Sequence, residues 1–161
     1  MRNIILILIL FLAGCSAKEV SVKTIRITHN DYSFYVPEGW LVFDTNSAQR
    51  SKSVMLTNKS RNAFILINRI NTNTELPLDE MATLSRYFLK LNFGKNFNGF
   101  SDITFTRRYA LYRFVAPQGI KGRVIIKKVN SNYYEITGYS GNKAGEDELN
   151  KVQEMIAESL K

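Results

Sequence analysis

The chain has 161 residues, which at roughly 100–200 residues per domain leaves room for one folded unit. Hydrophobic residues make up 45% and charged residues 22%, an ordinary globular mix that excludes both a disordered chain and a multi-span membrane protein. The formal net charge is +8, and with one cysteine in the chain zinc ribbons and dithiol redox chemistry are excluded as well.

The elements begin with a leader. Arg2 supplies positive charge, and Ile4 to Ala13 form an unbroken apolar run closed by Gly14 and Cys15. About ten residues of helix span about 15 Å, half of a hydrocarbon core about 30 Å thick. The run therefore matches the apolar core of an export signal, and residues 1–14 are set apart as a signal peptide. Leu12-Ala13-Gly14-Cys15 resembles the lipobox of bacterial lipoproteins, with an ordinary secretory leader and an incidental cysteine as the alternative. The resemblance implies cleavage before Cys15, a thioether to lipid at its sulfur, and a membrane contact made through acyl chains such as palmitate. Each buried methylene contributes about 0.8 kcal/mol, so two or more chains hold where one is marginal. By the same resemblance Ser16, a non-aspartate, implies sorting to the periplasmic side of the outer membrane if the source has two membranes. Inner against outer membrane otherwise stays open.

Residues 15–24 are small, polar and charged, and read as a lipidated tether; residues 25–161 are expected to form a single domain. Tyr32, Phe34 and Val36 alternate with Asp31, Ser33 and Tyr35, the period of a strand. Val36-Pro37-Glu38-Gly39 follows as a β-turn with Pro37 second and Gly39 fourth. Trp40, Val42 and Phe43 resume apolar character. Val54–Leu56 and Ala63–Ile67 flank the polar stretch Asn58 to Asn62 and predict a hairpin. Pro77, then Asp79 and Glu80, predict a helix start, with Met81, Leu84, Phe88 and Leu91 as its buried stripe and Gly94 as its stop. Strands are expected at 103–106, 110–115, 123–129 and 133–139, the last two joined tightly through Asn130 to Asn132. Glu146 to Leu160 predicts a second helix with Leu149, Val152, Ile156 and Leu160 on its stripe and Glu146, Asp147 and Glu148 in its first turn. Two helices among eight strands require hairpin links. The expected fold is α+β: a mainly antiparallel sheet of about six to eight strands with both helices packed on its faces.

Candidate sites are few. Between Asp102 and Glu135 lie Arg107, Arg108, Arg113, Lys121, Arg123, Lys127 and Lys128 with no acidic residue. Arg107, Arg108, Arg113, Arg123, Lys127 and Lys128 are the candidate contacts for an anionic headgroup, a phosphate or an acidic partner. The competing reading is a set of solvated hairpins whose charges protect edge strands, and alternation places Arg123 and Lys127 on one face and Lys128 on the other. His29, the only histidine, is expected in a turn beside Asn30-Asp31. No metal-ligand cluster, nucleophile elbow or phosphate loop is spelled out, so no catalytic residue, metal or cofactor is assigned. Tyr133 and Tyr134 are expected to point to opposite faces.

The stretch Asp31-Tyr32-Ser33-Phe34-Tyr35-Val36-Pro37-Glu38-Gly39-Trp40 resembles the opening of PsbP-like domains, a family that includes bacterial lipoproteins of the DcrB type. The later order of hairpins, helix, strands and helix is also similar. The resemblance implies an α/β/α sandwich and a role in docking or assembly; it carries over no functional residue. Taken together, the readings favour a non-enzymatic, lipid-anchored envelope protein with a protein partner and no role in nucleic-acid binding. A binder of an anionic small molecule or lipid headgroup is the second reading, and a hydrolase without a recognisable motif is the third.

Overall fold

Alternation of side chains decides most of the fold. The computed structural model describes residues 23–29, 32–44, 53–94, 96–116 and 119–161, so residues 1–14 expected as a signal peptide, the lipobox-like stretch with Cys15 and most of the expected tether lie outside the described residues. Strand β1 (Thr24–His29), absent from the expected elements, pairs antiparallel with β2 (Tyr32–Pro37). Tyr32, Phe34 and Val36 on β2 are buried, while Tyr35 is exposed. The turn lies one residue later than expected: Trp40 N donates to Pro37 O at 3.3 Å. Gly39 thus takes the third position with φ +99°, where a side chain would be strained.

Seven further strands make one sheet: β3 (Leu41–Asp44), β4 (Ser53–Thr57), β5 (Ala63–Ile70), β6 (Thr104–Phe105), β7 (Ala110–Val115), β8 (Lys121–Val129) and β9 (Asn132–Ser140). Their spatial order is β3-β4-β5-β9-β8-β7-β6, and every pairing is antiparallel. The β4–β5 hairpin and the tight β8–β9 link at Asn130, whose φ is 54°, follow the expected pattern. Among the described residues five strands, not four, precede the first helix.

Helix α1 (Leu78–Phe93) packs on β7 and β8, and helix α2 (Lys143–Ser159) packs on β2, β5, β8 and β9 from the opposite side. The α2 face holds Leu149, Val152, Ile156 and Leu160 against Tyr32, Phe34, Val36, Ile65, Ile67, Ile125, Tyr134 and Ile136. The α1 face holds Met81 and Ala82 against Tyr112, Phe114, Val124, Ile126 and Tyr133. Tyr133 and Tyr134 do divide between the faces. Each fully buried large apolar side chain contributes roughly 1.5–3 kcal/mol.

Both helix starts differ in detail from the pattern. Pro77 has ψ 151° and is the residue before α1, although its carbonyl accepts from Met81 N at 3.1 Å. Helix α2 begins three residues early, because Asn142 Oδ1 accepts from Gly145 N at 2.8 Å and caps it. Only Glu146 is then in the first turn. Glu148 instead accepts from Trp40 Nε1 at 3.0 Å and from Asn58 Nδ2 at 2.7 Å, fastening α2 to the β2–β3 turn and the β4–β5 turn.

The stripe of α1 is rotated from expectation. Leu84, Phe88 and Leu91 are exposed, Phe88 at 60%, while Met81, Ala82 and Ser85 face the sheet. Ser85 sets that rotation: its Oγ donates to Glu135 Oε2 at 2.6 Å and lies 2.9 Å from Tyr112 Oη. A register row of the sheet runs Phe43, Met55, Leu66, Thr137, Val124, Tyr112. Helix α1 covers its Val124–Tyr112 end and leaves Phe43 and Met55 exposed at the other.

Candidate functional site

The basic stretch does not form a single surface. Arg123 is 4% exposed and spends its guanidinium on α2: Nε donates to Gln153 Oε1 at 3.2 Å, Nη1 to Glu154 Oε1 at 3.0 Å and Nη2 to the carbonyl of Asn150 at 3.1 Å. Gln153 is fully buried and reaches back through Nε2 to the carbonyls of Arg123 and Ile136, both at 3.0 Å. Lys127 Nζ donates to the carbonyls of Ala157 at 2.5 Å and Leu160 at 3.1 Å, where a helix C-terminus favours positive charge. Burial, and secondarily Arg108, holds the Lys127 amine below its usual pKa. Lys128 points to the other face, pairs with Glu75, and lies 5.6 Å from the Tyr133 ring.

Arg123 and Lys127 thus spend their charge on α2 and Lys128 on Glu75, so these three of the expected anion contacts already have partners within the protein. Desolvating an arginine is tolerable only when carboxylate and carbonyl oxygens replace its water, and here they do. Arg107 and Arg108 are exposed on the β6–β7 turn. Arg113 is exposed too, directly opposite Arg123 in the β7–β8 register, and its guanidinium makes no hydrogen bond or ion pair among the described residues.

Arg113 stands at a groove of about 470 Å³ lined by residues 98–101, 113–115 and 121–123 and by Glu146, Leu149 and Asn150. The volume is that of small-molecule sites. Four segments build it, with β7 itself supplying residues 113–115. Residues 99–101 run beside β7, with Val115 N donating to Gly99 O at 2.9 Å and Ser101 N to Arg113 O at 2.9 Å. Ser101 Oγ accepts from Arg113 N at 2.9 Å, so this segment is locked to the strand. Strand β8 supplies Gly122, where an added Cβ would fall 2.0 Å from the Phe114 ring. Helix α2 supplies Glu146, Leu149 and Asn150 from its first turns. Lys121 at the same mouth lies 3.3 Å from Glu146, which is also 3.8 Å from Lys143. Arg113 is thus the cation of this groove that no partner neutralises among the described residues. Sequence reasoning named Arg113 but not the groove.

His29 is elsewhere. It ends β1, is 6% exposed, and packs edge-to-face with Tyr32 at 5.3 Å between ring centroids, so it is a packed strand residue rather than a turn residue. Among the described residues no three His, Cys, Asp or Glu side chains gather as a metal site, and no helix is long and apolar enough to cross a membrane.

No family model and no curated protein matches the chain. Solved structures do. The solution structure of cyanobacterial PsbP from Synechocystis sp. PCC 6803 aligns with TM-score 0.56 at 12% identity, covering 92% of this chain and 96% of that one. The Saccharomyces cerevisiae Ran-binding protein Mog1p aligns with TM-score 0.61 at 9% identity, covering 88% and 96%. The fold is that shared by PsbP and Mog1p. At these identities the likeness concerns architecture, and the α+β sandwich expected from the opening motif is the one found.

Proposed function

We propose that the protein is a lipid-anchored component of the cell envelope, held to the membrane through acyl chains on Cys15, that acts as a non-catalytic binding or assembly accessory for a protein partner. The observation that carries the binding part is the apolar surface on the α1 side of the sheet. Phe43, Met55 and Phe64 are exposed on the strands, and Leu84, Phe88 and Leu91 on the helix. Exposed apolar patches on otherwise ordinary domains mark surfaces that another molecule covers. The attachment part is supported by the lipobox-like residues 12–15, and the architecture shared with a Ran-binding protein is compatible with a docking role.

Two measurements test the reading. Mass spectrometry of native material should find an acylated peptide beginning at Cys15, and Cys15→Ser should abolish it; an intact Met1 overturns the anchor. Photocrosslinkers at Phe43 and at Phe88 should capture one and the same envelope protein, while a crosslinker at Lys151 on the opposite face should not. An adduct of twice the chain's own mass, or equal capture from Lys151, overturns the partner reading.

A further inference from the structure

We infer that the groove beside Arg113 binds a small anionic amphiphile, a carboxylate or phosphate group on an apolar body, with the anion on the Arg113 guanidinium. The proposal goes beyond the docking role and uses a different surface. Three observations carry it.

The first is the unequal use of charge. Arg113 and Arg123 face each other across β7 and β8, yet Arg123 is saturated by Gln153, Glu154 and the Asn150 carbonyl while Arg113 has no protein partner among the described residues. A guanidinium presents donors in a planar fork that suits two oxygens of one anion. Glu146, the carboxylate in the lining, is already held by Lys121 and Lys143, so it does not compete for Arg113.

The second is the apolar body of the groove. Phe100, Phe114, Val115 and Leu149 contribute to the lining, and Val115 is 48% exposed. Sites of this size owe their affinity to apolar contact and their orientation to a few polar groups, and a cation at the rim of apolar walls is complementary to an amphiphile with a single charged end.

The third is a closed strand edge. A peptide would enter such a place by adding a strand. Residues 99–101 already take that position on β7 through Gly99 O and Ser101 N, and β6 takes the rest of the edge at Thr104–Leu111 and Phe105–Ala110. Among the described residues the β7 edge is thus already covered, which favours a small molecule over a peptide added to β7.

The test is an NMR titration of the full chain with decanoate, with decyl phosphate, and with decanol, acetate and inorganic phosphate as partial ligands. Decanoate or decyl phosphate should shift the amides of 99–101, 113–115 and 149–150, and their relative affinities distinguish a carboxylate from a phosphate ligand. Decanol and the two short anions should bind at least about tenfold more weakly, the scale of a single charge-assisted hydrogen bond. Arg113→Gln should weaken the amphiphile about tenfold, while Arg107→Gln, which removes the same charge from the β6–β7 turn, should leave affinity unchanged. Equal weakening in both variants would mean general electrostatics and overturn the site, as would shifts confined to Phe43, Met55 and Phe64. These readouts are independent of acylation at Cys15 and of crosslinking at Phe88, so either proposal can fail alone.

Discussion

Helices α1 and α2 cover opposite faces of one sheet, and they are held in different ways. Helix α2 lays its entire apolar stripe into a core shared with the β1–β2 hairpin, and cations of β8 then bond its carbonyls. Helix α1 packs chiefly on β7 and β8, is oriented by the short Ser85 network that reaches Glu135 on β9, and leaves Leu84, Phe88 and Leu91 outside. An amphipathic period therefore specifies a helix and one preferred side, while polar partners decide how that side is turned. Where Arg123 reaches an α2 carbonyl and Gln153 of α2 reaches carbonyls of β8 and β9, the stripe and the polar contacts agree. Where Glu135 and Tyr112 draw Ser85 inward, the stripe of α1 is displaced toward solvent.

The contrast predicts a wide gap in sensitivity. Ile156→Ala, at a fully buried position of α2, should cost about 3–4 kcal/mol. Arg123→Ala should cost about 3 kcal/mol, because Gln153 and the Asn150 carbonyl lose a partner in a water-excluded seam. Both are read as a lower urea midpoint at unchanged slope. A midpoint for Arg123→Ala equal to that of the parent protein would show that the seam is ornamental and that α2 is held by its apolar stripe alone.

Alkaline titration separates the faces more finely. Burial holds the Tyr112 hydroxyl on the α1 face well above its usual pKa of about 10, opposed in part by its hydrogen bond with Ser85. Tyr139 on the same face is raised too, by burial and then by Glu135. In the unfolded chain these phenols ionise near pH 10, while in the folded protein they ionise at higher pH. Above that pH the native state binds more protons, so stability present below pH 10 is lost as pH rises. Tyr112→Phe should flatten the decline in stability measured between about pH 9.5 and pH 11. A decline as steep in Tyr112→Phe as in the parent would place its cause elsewhere. Lys127, whose pKa is lowered, works in the opposite sense, which is why the variant comparison rather than the raw profile is decisive.

How much of the molecule is legible in its sequence follows the same division. Period-two alternation in Tyr32–Val36 and the stripe Leu149–Leu160 report burial directly, and both are readable because one face of each element is wholly apolar. Strand β1 is not, since Thr24, Arg26 and Thr28 alternate with only two isoleucines and a histidine, too short a signal beside the polar tether. The rotation of α1 depends on Glu135, fifty positions from Ser85 in the chain, and no local pattern encodes it. The same holds for the basic stretch. Which arginine is consumed and which is left over depends on where α2 crosses β8, and the groove brings together residues 98–101, 113–115, 121–123 and 146–150 only after the sheet register is set.

The smallest stability effect is expected where the α1 stripe meets solvent. Phe88→Ser removes a large side chain that is 60% exposed, with its ring centroid 6.1 Å from that of Tyr87 as its aromatic contact. An exposed substitution of this kind changes stability by about 0.5 kcal/mol or less. The urea midpoint should therefore stay near that of the parent, while crosslinking from Phe43 to the proposed envelope partner should fall, because the apolar surface has lost its most exposed member. A loss comparable to that of Ile156→Ala would mean that Phe88 is part of the core and that α1 is buried like α2, erasing the contrast between the helices. An unchanged midpoint with unchanged crosslinking would keep the contrast and remove α1 from the docking surface, leaving the strands β3 to β5 to supply it.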